Sequence, residues 1–395
     1  MRIGVIVDNE LYIDSRVLNE TKSFMRNGHE VFVLCFNFGK YPEFEEFEKI
    51  KINRITIRKS LKDLMVILIN LLPFYHYFWK KHITKFIKRN KIEALHVSDL
   101  YMSKSAHMAT KNLKVPFTLD LHENYPAAIM SYKYSTKFPN RLIVRPKHWK
   151  KLEKSYLSYP KNIVVLSDTF KNYLLKKYDF LNENQFTIYP NVPDLKQFSE
   201  YNIYENIIEK EKNIILFYFG GIGKRRGIVT CLEAMKKLSK TNPQIKLLLI
   251  GPIDKHEQEF FQDYFGKEEI KNNIIYYPWK DIKYLPSYIK ASDICLSPIV
   301  KNSQHESGVA NKIFQYMLFE KPLIVSDCKP QEKIINDENC GVVFRSEDVD
   351  DLVEKTEYLI ANRELCREMG KNGKKAVLEK YNLENFGKEL AKIYE

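Results

Sequence analysis

Blocks of apolar residues alternate with polar stretches along the whole chain. Residues 2–7 (RIGVIV) are an uninterrupted apolar run, the pattern of a strand buried on both faces, and residues 29–36 (HEVFVLCF) form another. Between them a helix enters at Asp14-Ser15-Arg16-Val17, carries Leu18, Phe24 and Met25, and ends at Asn27-Gly28. Strand, helix and strand within about 35 residues make a βαβ unit and predict a parallel sheet. Runs at 92–97, 117–121 and 162–166 continue the strand series, and Ser167-Asp168 predicts the N-cap of a helix over 169–177. The sequence Tyr189-Pro190-Asn191-Val192-Pro193 punctuates the chain, and the polar residues 194–212 read as a linker.

A second series then starts afresh. Strands are expected at 214–219, 246–250, 274–277 and 294–297, with helices over 229–239 and near 285–291. At 307–327 a polar turn (Ser307, Gly308, Asn311) opens a helix with apolar Ile313, Phe314, Met317 and Leu318. The break Glu320-Lys321-Pro322 precedes a further run, Leu323, Ile324 and Val325. A helix start of this kind aims unpaired N–H groups at one place and suits a phosphate, and Lys312 adds a full positive charge in its first turn. Taken alone, the stretch reads equally as an ordinary turn with a solvated lysine.

Two α/β series in tandem predict two domains with a ligand held in the cleft between them. Polar residues at the C-terminal ends of parallel strands are the candidate site groups. Asp120-Leu121-His122-Glu123 offers His122 and Glu123, whereas His29 and His96 read as packing residues. In the second series, Gly220-Gly221-Ile222-Gly223-Lys224-Arg225-Arg226-Gly227 combines glycines that allow close backbone approach with three consecutive cations before a helix. Its spacing is neither GxGxxG nor a Walker A loop, and no GxGxxG follows the first strand.

Composition sharpens this picture in two ways. The six cysteines (Cys35, Cys231, Cys295, Cys328, Cys340, Cys366) are scattered without a CxxC pair, which predicts reduced thiols in a cytoplasmic protein and neither a disulfide frame nor a zinc site. Asp8, Glu10, Asp14 and Arg16 in the first 20 residues argue against a signal peptide. The net charge of +13 is uneven, with residues 51–150 carrying 20 Lys and Arg against 5 Asp and Glu. A basic region of this size implies an anionic partner, nucleic acid or membrane.

Residues 61–90 lie inside that region. Leu64 to Leu72 are nearly all apolar; Pro73 interrupts, and Phe74, Tyr75, Tyr77, Phe78 and Trp79 lead into Lys80, Lys81, Lys85, Lys88 and Arg89. The run falls short of the ~20 residues a bilayer span needs. It fits a helix lying on the anionic inner face of the plasma membrane, or equally a buried crossover helix with a solvated basic end. No nucleic-acid-binding module is recognisable, so nucleic acid is not expected as a partner.

The motifs Phe219-Gly220-Gly221…Arg226-Gly227, Ala291-Ser292-Asp293-Ile294, Asn311-Lys312-Ile313-Phe314-Gln315-Tyr316-Met317 and Lys321-Pro322-Leu323-Ile324 resemble the retaining glycosyltransferases of family 4 (group 1). So do Gly28-His29-Glu30-Val31, Asp120-Leu121-His122-Glu123, Tyr189-Pro190-Asn191, and the closing Met369-Gly370-Lys371-Asn372-Gly373 and Glu379-Lys380-Tyr381. The resemblance runs nearly end to end. It implies an α/β chain of the GT-B fold: an acceptor-binding Rossmann-like domain over 1–193, a nucleotide-sugar-binding one over 194–381, and a crossover helix over 382–395 packing back on the first. It also implies transfer of a sugar, with retention, from a UDP- or GDP-sugar to a lipid-linked or growing surface glycan, without metal or other cofactor. A non-catalytic relative that only binds the nucleotide-sugar is the alternative.

Carried over residue by residue, the resemblance makes His122, Arg226 and Lys312 the catalytic set. Gly220, Gly221, Lys224, Arg225, Glu306, Ser307, Gly308, Asn311 and Gln315 fall on the donor side, and Asp14, Arg16 and Glu123 on the acceptor side. Fixed cations are needed because the leaving nucleoside diphosphate gains charge as the C–O bond breaks. The chain departs from the family where an ExxxxxxxE pair falls on Ser307 and Gln315, with Glu306 one residue off, and where Gly221 replaces a common Arg. Asp348-Val349-Asp350 spells a metal-type DxD but reads as a helix cap.

Overall fold

The apolar runs of the first half become strands of one sheet because their side chains alternate between two buried faces. In the computed structural model, which describes residues 1–132, 135, 137–138 and 140–395, the strands are β1 (Arg2–Ile6), β2 (Glu30–Asn37), β3 (Phe44–Phe47), β4 (Ile50–Thr56), β5 (Ala94–Ser98), β6 (Phe117–Asp120), β7 (Asn162–Val165) and β8 (Phe186–Ile188). Their order is β3-β4-β2-β1-β5-β6-β7-β8, and the β3–β4 hairpin is antiparallel. On β2, Val31, Val33 and Cys35 enter one core while Phe32, Leu34 and Phe36 enter the other. That two-sided burial explains the continuous apolar run.

Helices cover both faces. Helix Ser15–Arg26, capped by the Asp14 side chain on the Val17 amide, packs Val17 and Phe24 against one face. Helix Leu383–Ala391 lies beside it and adds Leu383, Leu390 and, from the turn that follows, Tyr394. The compact unit accordingly comprises Met1–Pro190 together with Leu383–Glu395. Trp79, Ile83, Trp149 and Phe170, from helices Phe74–Asn90, Pro146–Leu157 and Asp168–Lys177, fill the other core.

The stretch 61–90 divides into two helices of different character. Phe74–Asn90 is the crossover helix, burying Tyr75, Trp79, Ile83, Phe86 and Ile87, so these aromatics are core residues and not interfacial anchors. Lys59–Ile67 buries no residue at all. Among the described residues no helix is long and apolar enough to cross a membrane.

The second unit, Asn191–Asn382, has β9 (Ile214–Phe219), β10 (Ile245–Ile250), β11 (Ile274–Tyr277), β12 (Ile294–Ser297), β13 (Leu323–Ser326) and β14 (Gly341–Phe344) in the order β11-β10-β9-β12-β13-β14. All its pairings are parallel. The stretch 194–212, expected to be a linker, instead packs on this unit: it contains helix Leu195–Ser199, and the Tyr204 amide donates to Ser287 Oγ at 2.9 Å. Asp348 caps helix Val349–Ala361 by accepting from the Asp351 amide at 3.0 Å, as the cap reading of the DxD requires.

Candidate functional site

Each sheet reverses its winding once, and there the loops after two neighbouring strands diverge and leave room for a ligand. In the second unit the reversal lies between β9 and β12. Past β9 the chain turns at Gly220 with φ +133°, and a Cβ there would stand 3.0 Å from Lys312 Nζ. Gly227, with φ +74°, passes so close to the Pro298 carbonyl that any Cβ would overlap it. Between them the single turn Lys224–Arg226 carries the three cations.

Helix Asn311–Leu318 starts without a side-chain cap; its Ile313 amide donates to the Ala310 carbonyl at 3.0 Å, which leaves the Asn311 and Lys312 amides for a ligand or solvent. Tyr316 Oη accepts from the Phe219 amide at 2.9 Å and fixes this helix to the glycine turn. Lys312 is only 9% exposed, with its Nζ 3.6 Å from the centre of the Tyr218 ring. Burial, and then the charge of Arg226, hold its ammonium well below the ordinary lysine range. Two cations in a dry site are stable together when an anion joins them.

His305 completes this centre and was not expected from the sequence. It is buried, its Nδ1 lies 2.6 Å from the Val300 carbonyl oxygen, and its Nε2 has no partner among the described residues. Burial, with the charges of Arg226, Arg225 and Lys312, pushes it down to about 4 against the pull of the Val300 carbonyl. At neutral pH the ring is uncharged, with Nδ1–H donating to Val300, which leaves Nε2 as an acceptor for a hydroxyl.

The other donor-side expectations separate. Gln315 is half-buried one turn beyond Lys312, and Asn311 is exposed at the helix start. Gly308 is extended, and the Gly221 carbonyl accepts from Tyr218 Oη at 2.8 Å. Arg225 reaches Gln304 Oε1 at 3.4 Å, and Ser307 Oγ donates to the Gln304 carbonyl at 2.6 Å. Two residues turn to other elements: Lys224 Nζ sits 3.7 Å over the Phe260 ring, and Glu306 Oε1 accepts from the Lys329 amide at 3.1 Å.

In the first unit the reversal lies between β1 and β5. His122 follows β6, with Nε2 2.7 Å from Asp120 Oδ2 and Nδ1 3.8 Å from Asp99 Oδ1. Burial alone would lower its pKa; Asp120 and then Asp99 outweigh that and raise it to about 10. The ring is therefore an imidazolium, a donor and a fixed charge rather than a general base.

Arg16, expected on the acceptor side, holds Asp120. Its Nε and Nη2 donate to the two Asp120 oxygens at 2.8 and 2.6 Å, and Nη1 to the Tyr189 carbonyl at 2.7 Å. Burial opposes ionisation of Asp120, but Arg16 and His122 keep it well below the carboxylate range. Glu20, 3.2 Å from Arg16, joins Asp120 and His122 in a cluster with metal-ligand geometry, yet the Arg16 guanidinium already supplies the positive charge there. Asp14 caps its helix on the Val17 amide, and Glu123 is half-buried beside His122.

Two further carboxylates belong to this centre. Asp99, after β5, has φ +72°, a conformation that costs about 1–3 kcal/mol and gathers at functional sites. Asp8, 2% exposed after β1, accepts from Tyr75 Oη at 2.8 Å, while its Oδ1 has no hydrogen-bond partner among the described residues. Burial raises its carboxyl to about 7 despite Lys62 and Tyr75.

Comparison with known proteins covers both units. Residues 200–376 match the family model for Glycosyl transferases group 1, and residues 14–197 match that for Glycosyltransferase Family 4. The Capsular polysaccharide biosynthesis glycosyltransferase CapM of Staphylococcus aureus is 22% identical over 251 residues, 62% of this chain and 63% of its own. The uncharacterized glycosyltransferase MJ1607 of Methanocaldococcus jannaschii is 20% identical over 94% of this chain and 91% of its own. The chain spans less than two thirds of the length of several curated relatives it matches, CapM among them. Among solved structures, sucrose-phosphate synthase from Thermosynechococcus elongatus superposes with a TM-score of 0.78 at 16% identity over 100% of this chain and 98% of its own. Anabaena HepE in complex with UDP gives 0.74 at 12% identity over 100% and 99%. At such identities the likeness is one of fold, the GT-B fold of two parallel-sheet α/β units.

Proposed function

Because the chain belongs to the glycosyltransferases of group 1 and family 4, we propose that it transfers a sugar, with retention, from a UDP- or GDP-sugar to a lipid-linked or growing surface glycan. The observation that carries this reading is the buried Lys312 beside Arg226, at a helix start with no side-chain cap and a glycine turn. A nucleoside diphosphate is the anion that fits: its oxygens meet the two cations and the free N–H groups. As the glycosidic C–O bond breaks, the diphosphate gains charge and these fixed groups stabilise it without reorganising. His305 Nε2 and Gln315 offer an acceptor and an amide to sugar or ribose hydroxyls. The His122 imidazolium offers a donor to a hydroxyl of the acceptor.

Both the donor and the acceptor class draw support from relatives. HepE was crystallised with UDP, and CapM is named for capsular polysaccharide biosynthesis. With a lipid-linked acceptor, the enzyme works from the cytoplasm at the inner face of the plasma membrane. The test is a panel of nucleotide-sugars read by thermal shift and by release of nucleoside diphosphate. A stabilising donor that is consumed with a glycan acceptor supports the reading. A donor that binds and is never turned over assigns the chain to the non-catalytic alternative, and a panel with no binder overturns the donor assignment.

A further inference from the structure

One corner of the first unit exposes apolar side chains that no other described residue covers. On helix Lys59–Ile67, Leu61, Leu64 and Ile67 recur every third residue on one exposed face, while Met65 and Val66 pack on the core. Leu71 and Leu72 are exposed in the connection, and Phe74 (67% exposed) and Tyr77 begin the next helix. Asn70 Nδ2 donates to the Val144 carbonyl at 2.8 Å, tying this hairpin to helix Asn140–Val144, where Leu142 is 64% exposed. The same solvent face of the crossover helix continues from Phe74 and Tyr77 into Lys81, Lys85 and Lys88. Tyr77, Lys80, Lys81, Lys85 and Lys88, with Thr84 and Arg89, line a shallow groove of about 780 Å³ that holds no carboxylate among the described residues.

We infer that this hairpin is a docking surface for an anionic lipid bilayer, with the leucines and Phe74 entering the headgroup–acyl boundary and the lysines resting on the phosphates. The inference rests on the lipid-linked acceptor reading above. Charge complementarity selects the occupant. Residues 51–150 carry 20 cations against 5 anions, so a second copy of this chain would meet its own charge. Nucleic acid would satisfy the lysines but not the aliphatic leucines, which stack on no base. An anionic bilayer satisfies both halves at once, the arrangement of an interfacial amphipathic element.

Cosedimentation of the full chain with phosphatidylglycerol–phosphatidylcholine vesicles, against phosphatidylcholine alone, tests it. The wild type is expected to bind the anionic vesicles and to release as salt rises. Replacing Leu61, Leu64, Leu71 and Phe74 together by Ser, all exposed positions, is expected to lower partitioning by about tenfold or more. Lys81→Gln, Lys85→Gln and Lys88→Gln are each expected to lower it roughly fivefold. Both sets should leave nucleoside-diphosphate binding and the thermal transition unchanged. Equal partitioning into neutral and anionic vesicles, or into neither, overturns the surface. A concentration-dependent dimer abolished by Leu64→Glu assigns the face to a second copy and also overturns it. Donor turnover on a soluble acceptor without vesicle binding removes the surface alone; vesicle binding without any nucleotide-sugar affinity keeps the surface and removes the function.

Discussion

The ammonium of Lys312 stands 3.6 Å from the centre of the Tyr218 ring, over an aromatic face instead of against a carboxylate. The ring quadrupole stabilises the cation in part, but burial and the neighbouring Arg226 still hold it well below its usual range. A diphosphate entering this centre therefore raises the affinity of Lys312 for its proton. Nucleoside-diphosphate binding is expected to take up protons, and affinity should fall as pH rises above the depressed value of the free protein. Calorimetry in buffers of different ionisation enthalpy measures the uptake; a buffer-independent enthalpy would place the diphosphate elsewhere.

Lys312 and Arg226 act on one charge, so their losses should overlap. Lys312→Ala and Arg226→Ala should each lower kcat, on the order of 10²–10³-fold, as well as weaken donor binding. The double variant is expected to fall short of the product of the two. Lys312→Arg should also fail, because a planar fork does not fit a point-charge site against the Tyr218 ring. Steady-state kinetics of the four variants decides this, and EDTA should leave all rates unchanged.

For His122 the sign of the shift sets the pH profile. Its folded value of about 10 lies above the ordinary 6.5, so the stabilisation is fully present below pH 6.5 and is lost as pH rises through about 10. Turnover limited by this imidazolium is expected to be flat between pH 6.5 and 9. His122→Ala should lower kcat more than donor affinity. A rising limb centred near 6.5 that vanishes in His122→Ala would mean that the neutral ring is the working form.

Asp8 titrates with the opposite consequence. Its carboxyl, raised from 3.8 to about 7, is buried most comfortably when protonated, so stability should decline as pH rises from 4 toward 7. Asp8→Asn keeps the acceptor for Tyr75 Oη and removes the charge. It is expected to raise Tm above pH 7 and to flatten the pH dependence, with a gain of at most about 4 kcal/mol at roughly 1.4 kcal/mol per pKa unit. Thermal melts of both proteins at pH 5 and pH 8 measure it; a lower Tm for Asp8→Asn at pH 8 contradicts the assignment.

Gln315 falls on the second position of the ExxxxxxxE pair that the family resemblance implies. Gln315→Glu should keep or raise activity, and Gln315→Ala should weaken donor binding by about 0.5–1.5 kcal/mol. Titration with ribo- and 2′,3′-dideoxyribo-nucleotides checks the role: equal affinities in the wild type would detach Gln315 from the ribose.

Where burial is two-sided, the sequence announced the structure. The runs at β1, β2, β9 and β10 are apolar because both faces of each are covered, and such runs are readable without context. The hairpin of β3 and β4 was missed because FEEF alternates between exposed and half-buried positions, with two carboxylates at an open sheet edge. Lys312, Arg226 and Gly220 stood out through their turn chemistry and family motifs. Arg16 did not reveal its role, since its partner Asp120 is 104 residues away and only the sheet brings them together. His305 and Asp99 were invisible for a related reason: an unpartnered Nε2 and a positive φ are properties of the folded chain, not of the residue type.

The first unit is finished by Leu383–Glu395, which the ribosome delivers only after all of Asn191–Asn382. Until then the face around Phe24, destined for Leu390 and the Tyr394 ring 5.2 Å away, stays open to water. The second unit has every strand and helix it needs before that moment, so vectorial synthesis favours its maturing first, against the usual N-terminal-first order. A stop codon before Leu383 would leave all of Asn191–Asn382 attached to an unsealed partner. Such a product should retain diphosphate binding while exposing a sticky hydrophobic flank to chaperones and proteases.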